Sequence, residues 1–168
     1  NSSASSGVRL FNGCTDCVIE NCWFESCEQG VSIDASDHCN VNNCWFTDCD
    51  SRCITIKSGA DNCMITNNHC EDSVFGISIQ SESSLHGDYN IVSGNEVRGM
   101  ASDGIVVQDN CDWNIITGNQ IISNGAYGID VESSADRTLI GHNIILLNST
   151  GQIRDNGTNT VASNNIIT

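Results

Sequence analysis

Apolar and polar residues alternate along this chain in short runs such as Val31-Ser-Ile-Asp34 and Ile77-Ser-Ile-Gln80. Period two over four residues marks a short strand with one buried face. The runs recur at a fixed interval. A strand-opening glycine stands at Gly7, Gly30, Gly76, Gly104, Gly128 and Gly151, and Cys53 fills the slot between 30 and 76. The steps are 23, 23, 23, 28, 24 and 23 residues. The one long step predicts a loop inserted around Ser84–Asp88.

A second register supports the first. Aligned on Cys22, Cys44, Asn68, Asn95, Asn119, Asn143 and Asn165, the residues two later are Phe24, Phe46, Cys70, Val97, Ile121, Ile145 and Ile167. Those three earlier are Ile19, Val41, Ile65, Val92, Ile116, Ile140 and Ala162. The column just before the anchor holds Asn21, Asn43, Asn67, Gly94, Gly118, His142 and Asn164. Gly, Asn and His tolerate positive φ, so every repeat is expected to turn the same left-handed corner there. The anchor asparagines beside it are expected to bond from repeat to repeat.

Self-similarity at this period means a solenoid. The rows lack the Leu-x-x-Leu-x-Leu frame of a leucine-rich repeat. Three short strands per repeat, pairing with the next repeat at about 4.8 Å, predict an all-β, right-handed parallel β-helix. Its seven coils would make a rod on the order of 34 Å long. Residues 1–168 read as one such domain, a segment or mature piece of a larger extracellular or cell-surface protein.

Charge narrows the partners. Only six Lys and Arg stand against 21 Asp and Glu, a net charge of −15. No cationic stripe exists for counterion release, which excludes nucleic acid. No run of 18 apolar residues exists, which excludes insertion by a membrane-spanning helix. A polyanionic glycan would need a bridging cation, so calcium is the one cofactor left open. Eleven cysteines fall mostly in columns, 17-39-63, 22-44 and 27-49. Reduced buried stacks and one or two bridges both remain open. Cys14-x-x-Cys17 is a single half-site, and no metal site is assigned. Asn1-Ser-Ser, Asn148-Ser-Thr and Asn156-Gly-Thr match the glycosylation sequon.

Asn90-Ile-Val-Ser-Gly-Asn95, Asn114-Ile-Ile-Thr-Gly-Asn119, Tyr127-Gly-Ile-Asp130 and Gly104-Ile-Val-Val107 resemble the β-helix repeats of the pectin-lyase-like superfamily. The likeness extends to proteins described as periplasmic copper-binding or right-handed β-helix. It covers nearly the whole chain and speaks to fold more than to activity. The resemblance implies an active cleft on the strand after the glycine slot. Its outward residues would be Arg9/Phe11, Ser32/Asp34, Thr55/Lys57, Ser78/Gln80, Val106/Gln108 and Asp130/Glu132. Asp34, Lys57 and nearby His38 could supply a base and a carboxylate neutraliser for uronate chemistry. Asp130 and Glu132 could serve as a hydrolytic carboxylate pair. An ordinary Asp–Lys pair on a solvated face is the bland alternative. The superfamily's epimerases carry Tyr-Gly-Phe-Asp-Pro-His, whereas Tyr127-Gly-Ile-Asp130 continues Val-Glu here, without Pro or His. Copper delivery has no Met/His cluster behind it.

One position after the anchor stand Trp23, Trp45, His69, Glu96, Gln120 and Ile144, outward by alternation. Stacked tryptophans form an aromatic platform of the kind sugars and proteins use, unless a covering segment hides it. Trp23, Trp45 and His69, with Gln80 and Gln108, are the candidate ligand contacts. The expected function is glycan binding or processing by a surface or secreted β-helix: a lyase, hydrolase or epimerase if it is an enzyme. The alternative is a spike, fibre or surface-layer subunit that associates head to tail or laterally.

Overall fold

The computed structural model describes residues 5–82 and 84–168; the sequon at Asn1 lies outside them. Seven coils stack into three parallel sheets of seven strands each. The first sheet takes the strand after each glycine slot, from Ser6–Phe11, Gln29–Asp34 and Arg52–Lys57 through to Gly151–Asp155. The second and third take three-residue strands on either side of the anchor column, such as Val18–Glu20 and Trp23–Glu25. Register follows the sequence columns: Val31 pairs with Ile54, Ile54 with Ile77, and Ile77 with Ile105. The long step is a loop between Phe75–Ile79 and Ile91–Ser93. In it Glu82 and Leu85 form an antiparallel bridge.

Each coil turns three corners, and left-handed residues make all three. The corner between the second and third sheets is the expected column, Asn21 to Asn164, with φ from 51° to 68°. A second column before the second sheet holds Asp16, His38, Asn62, Tyr89, Trp113, Arg137 and Asn159. A third, after the third sheet, holds Ser26, Asp48, Asp72, Gly99, Ser123 and Leu147.

The core is the inward row of each sheet. Val31, Ile33, Ile54, Ile56, Ile77, Ile79, Ile105 and Ile129 of the first sheet are fully buried. They pack against the inward residues of the other two sheets, including Ile65, Val92, Ile116, Phe46 and Ile121. The glycine slot exists because the sheets approach closely there. A Cβ on Gly76 would lie 2.4 Å from the Gly104 carbonyl oxygen and 2.4 Å from Val97 Cγ1.

The inner corner between the second and third sheets is polar and, from the third coil on, satisfied by asparagine. Asn68 Nδ2 donates to the Val41 carbonyl at 2.9 Å and to Asn95 Oδ1 at 3.0 Å, while its backbone N–H also reaches Asn95 Oδ1 at 2.9 Å. Asn95, Asn119 and Asn143 repeat the arrangement. In the early coils a thiol occupies the same place: Cys44 Sγ lies 3.7 Å from the Ile19 carbonyl, as Asn68 Nδ2 lies against Val41. All eleven thiols are free.

Candidate functional site

The outward face of the first sheet departs from the sequence expectation in one respect. Its central row, Ser32, Thr55, Ser78, Val106 and Asp130, points away from the core yet is buried. It is therefore not a solvated strip. The long side chains of flanking columns lie over it, and Ser32 Oγ and Thr55 Oγ1 have no hydrogen-bond partner beneath them.

At one end of this face Asp34 and Lys57 are register neighbours, as the columns require. Arg9 bonds the Asp34 carboxylate, and Lys57 Nζ stands 3.7 Å from it and 3.4 Å from Glu82. Burial pushes the Asp34 carboxyl up, but hydrogen bonds from Arg9 and Ser58 and the Lys57 charge outweigh it, and the net shift is downward. A buried carboxylate clamped by two cations is a poor general base. His38 sits at a corner with φ 56°, exposed, and among the described residues nothing joins it to Asp34 or Lys57. The three are not assembled into one constellation.

Further along, a cleft of about 210 Å³ gathers Arg52, Gln80, Gln108, Asp103, Asp130, Glu132 and Arg154. Asp130 is held by Arg154, whose Nε donates to Oδ1 at 2.6 Å. Glu132 Oε2 accepts the Asp109 N–H at 3.2 Å. Burial, then the charges of Asp109 and Asp130, raises the Glu132 carboxyl above its usual value. Arg52 differs from the other cations. Among the described residues it is the one Lys or Arg with no carboxylate within ion-pair distance. It lies over the Phe75 ring at 5.0 Å, and the Gln80 amide oxygen, turned toward it, accepts from Nη2 and Nε at 3.1 and 3.2 Å. Arg52, Asp103 and Arg154 were not singled out in the sequence. Their signal was available, since Arg52 precedes the glycine slot and Arg154 continues the outward row of Asp130.

The second candidate lies at the corner between the second and third sheets. Trp23 and Trp45 stack with ring centroids 5.3 Å apart and 6° between planes, and His69 continues the stack 3.7 Å from Trp45. They form one wall of a groove of about 590 Å³ whose floor is the left-handed corner: Asn21, Asn43, Asn67, Gly94 and Gly118. Glu96 and Gln120 extend the wall. His69 is pinned, Nδ1 to Glu96 at 3.0 Å and Nε2 to Glu71 at 3.2 Å. The bond from His69, then that from Arg98, holds the Glu71 carboxyl below its usual value. Trp45 Nε1 donates to Glu71 at 3.3 Å. No described segment covers the wall, and Trp23 is 63% exposed. The five candidate ligand residues thus divide between two sites, Trp23, Trp45 and His69 in this groove and Gln80 and Gln108 in the cleft.

Comparison with known proteins follows the same lines. A profile described as periplasmic copper-binding protein (NosD) matches residues 55–168. The chain belongs to that family. A second profile, right-handed β-helix region, matches residues 1–70. No curated protein sequence matches significantly. Among solved structures, the A-module of the mannuronan C-5 epimerase AlgE6 of Azotobacter vinelandii superposes with a TM-score of 0.84 at 17% identity, covering 94% of this chain and 47% of that one. A variant of the periplasmic alginate epimerase AlgG gives 0.80 at 15%, covering 95% and 47%. An alginate lyase from Paenibacillus sp. gives 0.78 at 12%, covering 98% and 73%. At such identities the likeness is one of fold, that of pectin-lyase-like epimerases and lyases. The chain spans about half the length of the two epimerases.

The family description names copper, and the donor set here does not suit it. Among the described residues no group of three or more His, Cys, Asp or Glu converges on a point that could hold a metal ion. His69 has both ring nitrogens on carboxylates, and the two methionines, Met64 and Met100, lie apart on an outer face and in the core. The thiols run in columns, one coil beneath another.

Proposed function

We propose that this chain is a carbohydrate-binding β-helix, acting in a periplasmic or secreted setting as a segment of a larger protein. The aromatic groove is its binding surface. The observation that carries this reading is the stack of Trp23, Trp45 and His69 along a groove floored by corner amides. Because the rings cover one another's faces, the groove is offered their apolar edges and the outer face of Trp23, which can pack against the C–H face of a sugar, while amides beside them receive its hydroxyls. Successive coils repeat the platform at about 4.8 Å, so a chain of sugars would run along the helix axis. Glu71 and Glu96 border the platform, and the protein is strongly acidic. Both favour a neutral, hydroxyl-rich glycan over a polyuronate.

The cleft on the first sheet does not support catalysis as strongly. Asp34 and Asp130 are each neutralised by arginine. Intrinsic tryptophan fluorescence and calorimetry against a panel of neutral and uronate oligosaccharides test the proposal. Binding to neutral members is expected, weakened about tenfold or more by Trp45→Ala. Silence across the panel, or binding indifferent to both Trp23→Ala and Trp45→Ala, would overturn it.

A further inference from the structure

Each corner of the first coil carries a cysteine, and each has a cysteine as its register neighbour in the second coil. The Asn40 N–H donates to the Cys17 carbonyl at 2.8 Å, Trp45 N–H to Cys22 at 2.9 Å and Asp50 N–H to Cys27 at 2.8 Å. With Val18 opposite Asn40 and Trp23 opposite Trp45, Cys17 lies beside Cys39 and Cys22 beside Cys44. Cys27 lies beside Cys49 by the same count. Adjacent strands put such α-carbons about 4.8 Å apart, inside the range of roughly 4.4–6.8 Å that disulfides span. Two of the second-coil sulfurs are within reach of both coils: Cys39 Sγ is 3.3 Å from the Asp37 carbonyl and 4.0 Å from that of Cys14, and Cys44 Sγ is 3.4 Å from the Asn42 carbonyl and 3.7 Å from that of Ile19.

Packing alone does not call for thiols at these places. Later coils use Asn68 and Asn95 in the same column, and Asn supplies an oxygen for the N–H of the preceding coil, as Asn68 Oδ1 does for Cys44 at 2.9 Å. A thiol is a weaker acceptor, so cysteine gives up a hydrogen bond that asparagine would make. From the third coil the three positions read Cys63, Asn68 and Ser73, so the in-register pairing ends at two corners, and at the other Cys63 stands beside Cys39. Access is graded as well. Cys22 is exposed and Cys17 and Cys27 are half-buried, while Cys39, Cys44 and Cys49 are buried.

We propose that Cys17–Cys39, Cys22–Cys44 and Cys27–Cys49 are oxidation sites that close into three disulfides and staple the first coil to the second. The oxidant is a small disulfide such as oxidised glutathione. The thiolate of the accessible first-coil cysteine attacks it, forming a mixed disulfide and releasing one glutathione thiolate, which takes up the proton the cysteine lost. The second-coil thiolate then attacks the first-coil sulfur, forming the protein disulfide and releasing the second glutathione. Two protein thiols are oxidised and one glutathione disulfide is reduced to two thiols. Burial raises the Cys39, Cys44 and Cys49 thiols, with contact from Cys53 foremost at Cys49. Their burial leaves them the second, intramolecular step rather than a meeting with the oxidant, and the raised values slow that step because less thiolate is present.

The test incubates the 168-residue chain with oxidised glutathione or with dithiothreitol, alkylates it, and maps peptides by mass without reduction. Six of the eleven thiols are expected to be lost to alkylation, with cross-links 17–39, 22–44 and 27–49. Amide exchange in residues 15–29 should slow at least about tenfold on oxidation. The double variant Cys22→Asn/Cys44→Asn keeps the residue that this column uses in later coils. It should fold, lose only the 22–44 link and retain the other two. Eleven alkylatable thiols after oxidation, links between other cysteines, or unchanged exchange in the first coil would each overturn the proposal.

Discussion

Asp61 Oδ1 accepts the backbone N–H of Asp88, one coil away, at 2.8 Å. The same bond joins Asp37 to Asp61, Asp88 to Asp112 and Asp112 to Asp136. Five half-buried carboxylates therefore stand in file, the first four each capping the next coil's backbone amide and each repelling its neighbours. Burial, then the charges of Asp88 and Asp37, raises the Asp61 carboxyl. Because its folded-state pKa lies above the ordinary value, the folded chain keeps this proton at pH values where the unfolded chain has lost it. The cost is absent below about pH 4, sets in as pH rises through the raised value, and is fully present at neutral pH. Asp61→Asn keeps the acceptor oxygen and removes the charge. At neutral pH and low salt it should stabilise by about 0.5–1 kcal/mol. In roughly 1 M salt, where charges are screened within about 3 Å, the part of the gain due to Asp88 and Asp37 should shrink while the part due to burial remains. Urea denaturation at two salt concentrations and two pH values measures it.

The asparagine file is neutral, and its loss should act in the opposite sense. Asn95→Ala takes the acceptor from the Asn68 N–H and the donor from the Ile65 carbonyl, both buried. Each orphaned group costs about 1–3 kcal/mol, so a loss of about 2–6 kcal/mol is expected. Asn165→Ala, in the half-buried last coil, should cost clearly less. Chemical denaturation of the two variants side by side gives the comparison; equal losses would contradict it.

Glycines in the two main columns answer different demands. Gly76 is needed for space, because its missing Cβ would meet a backbone oxygen and Val97 at 2.4 Å. Gly76→Ala should cost about 2–3 kcal/mol or more through overpacking. Gly118 is needed for its φ of 67°, and the nearest atom to an added Cβ is 3.9 Å away. Asn fills this column in other coils at the same φ, so Gly118→Asn should change stability by less than about 1 kcal/mol. Thermal melts of both variants decide the assignment.

Much of this architecture was legible because a solenoid makes the same demand of every coil. The corner from Asn21 to Asn164 stood out since few residue types accept its backbone. The other two corners have the same φ but are filled by Tyr89, Trp113, Arg137, Ser26 and Leu147, whose diversity hides the demand. Alternation told correctly which way Ser32 and Thr55 point. It could not tell that they are buried, because burial there depends on long side chains arriving from flanking columns. The Trp23–Trp45 stack followed from register alone. The bonds that pin His69 between Glu71 and Glu96 needed the rotamers of three side chains.

The two arginines of the first-sheet cleft give the sharpest contrast. Arg154 neutralises Asp130, whose side chain is 3% exposed. Removing it in Arg154→Met strands a buried carboxylate, which should cost about 3 kcal/mol. Arg52 has no carboxylate partner, and burial lowers its pKa. Arg52→Met removes a half-buried charge while its methylenes' packing against Phe75 is largely kept. It should leave stability within about 1 kcal/mol of the parent, or raise it. Urea denaturation at neutral pH compares the two, and an Arg52 variant as costly as the Arg154 variant would show that the neutral bonds from Arg52 to Gln80 count for as much as the ion pair to Asp130.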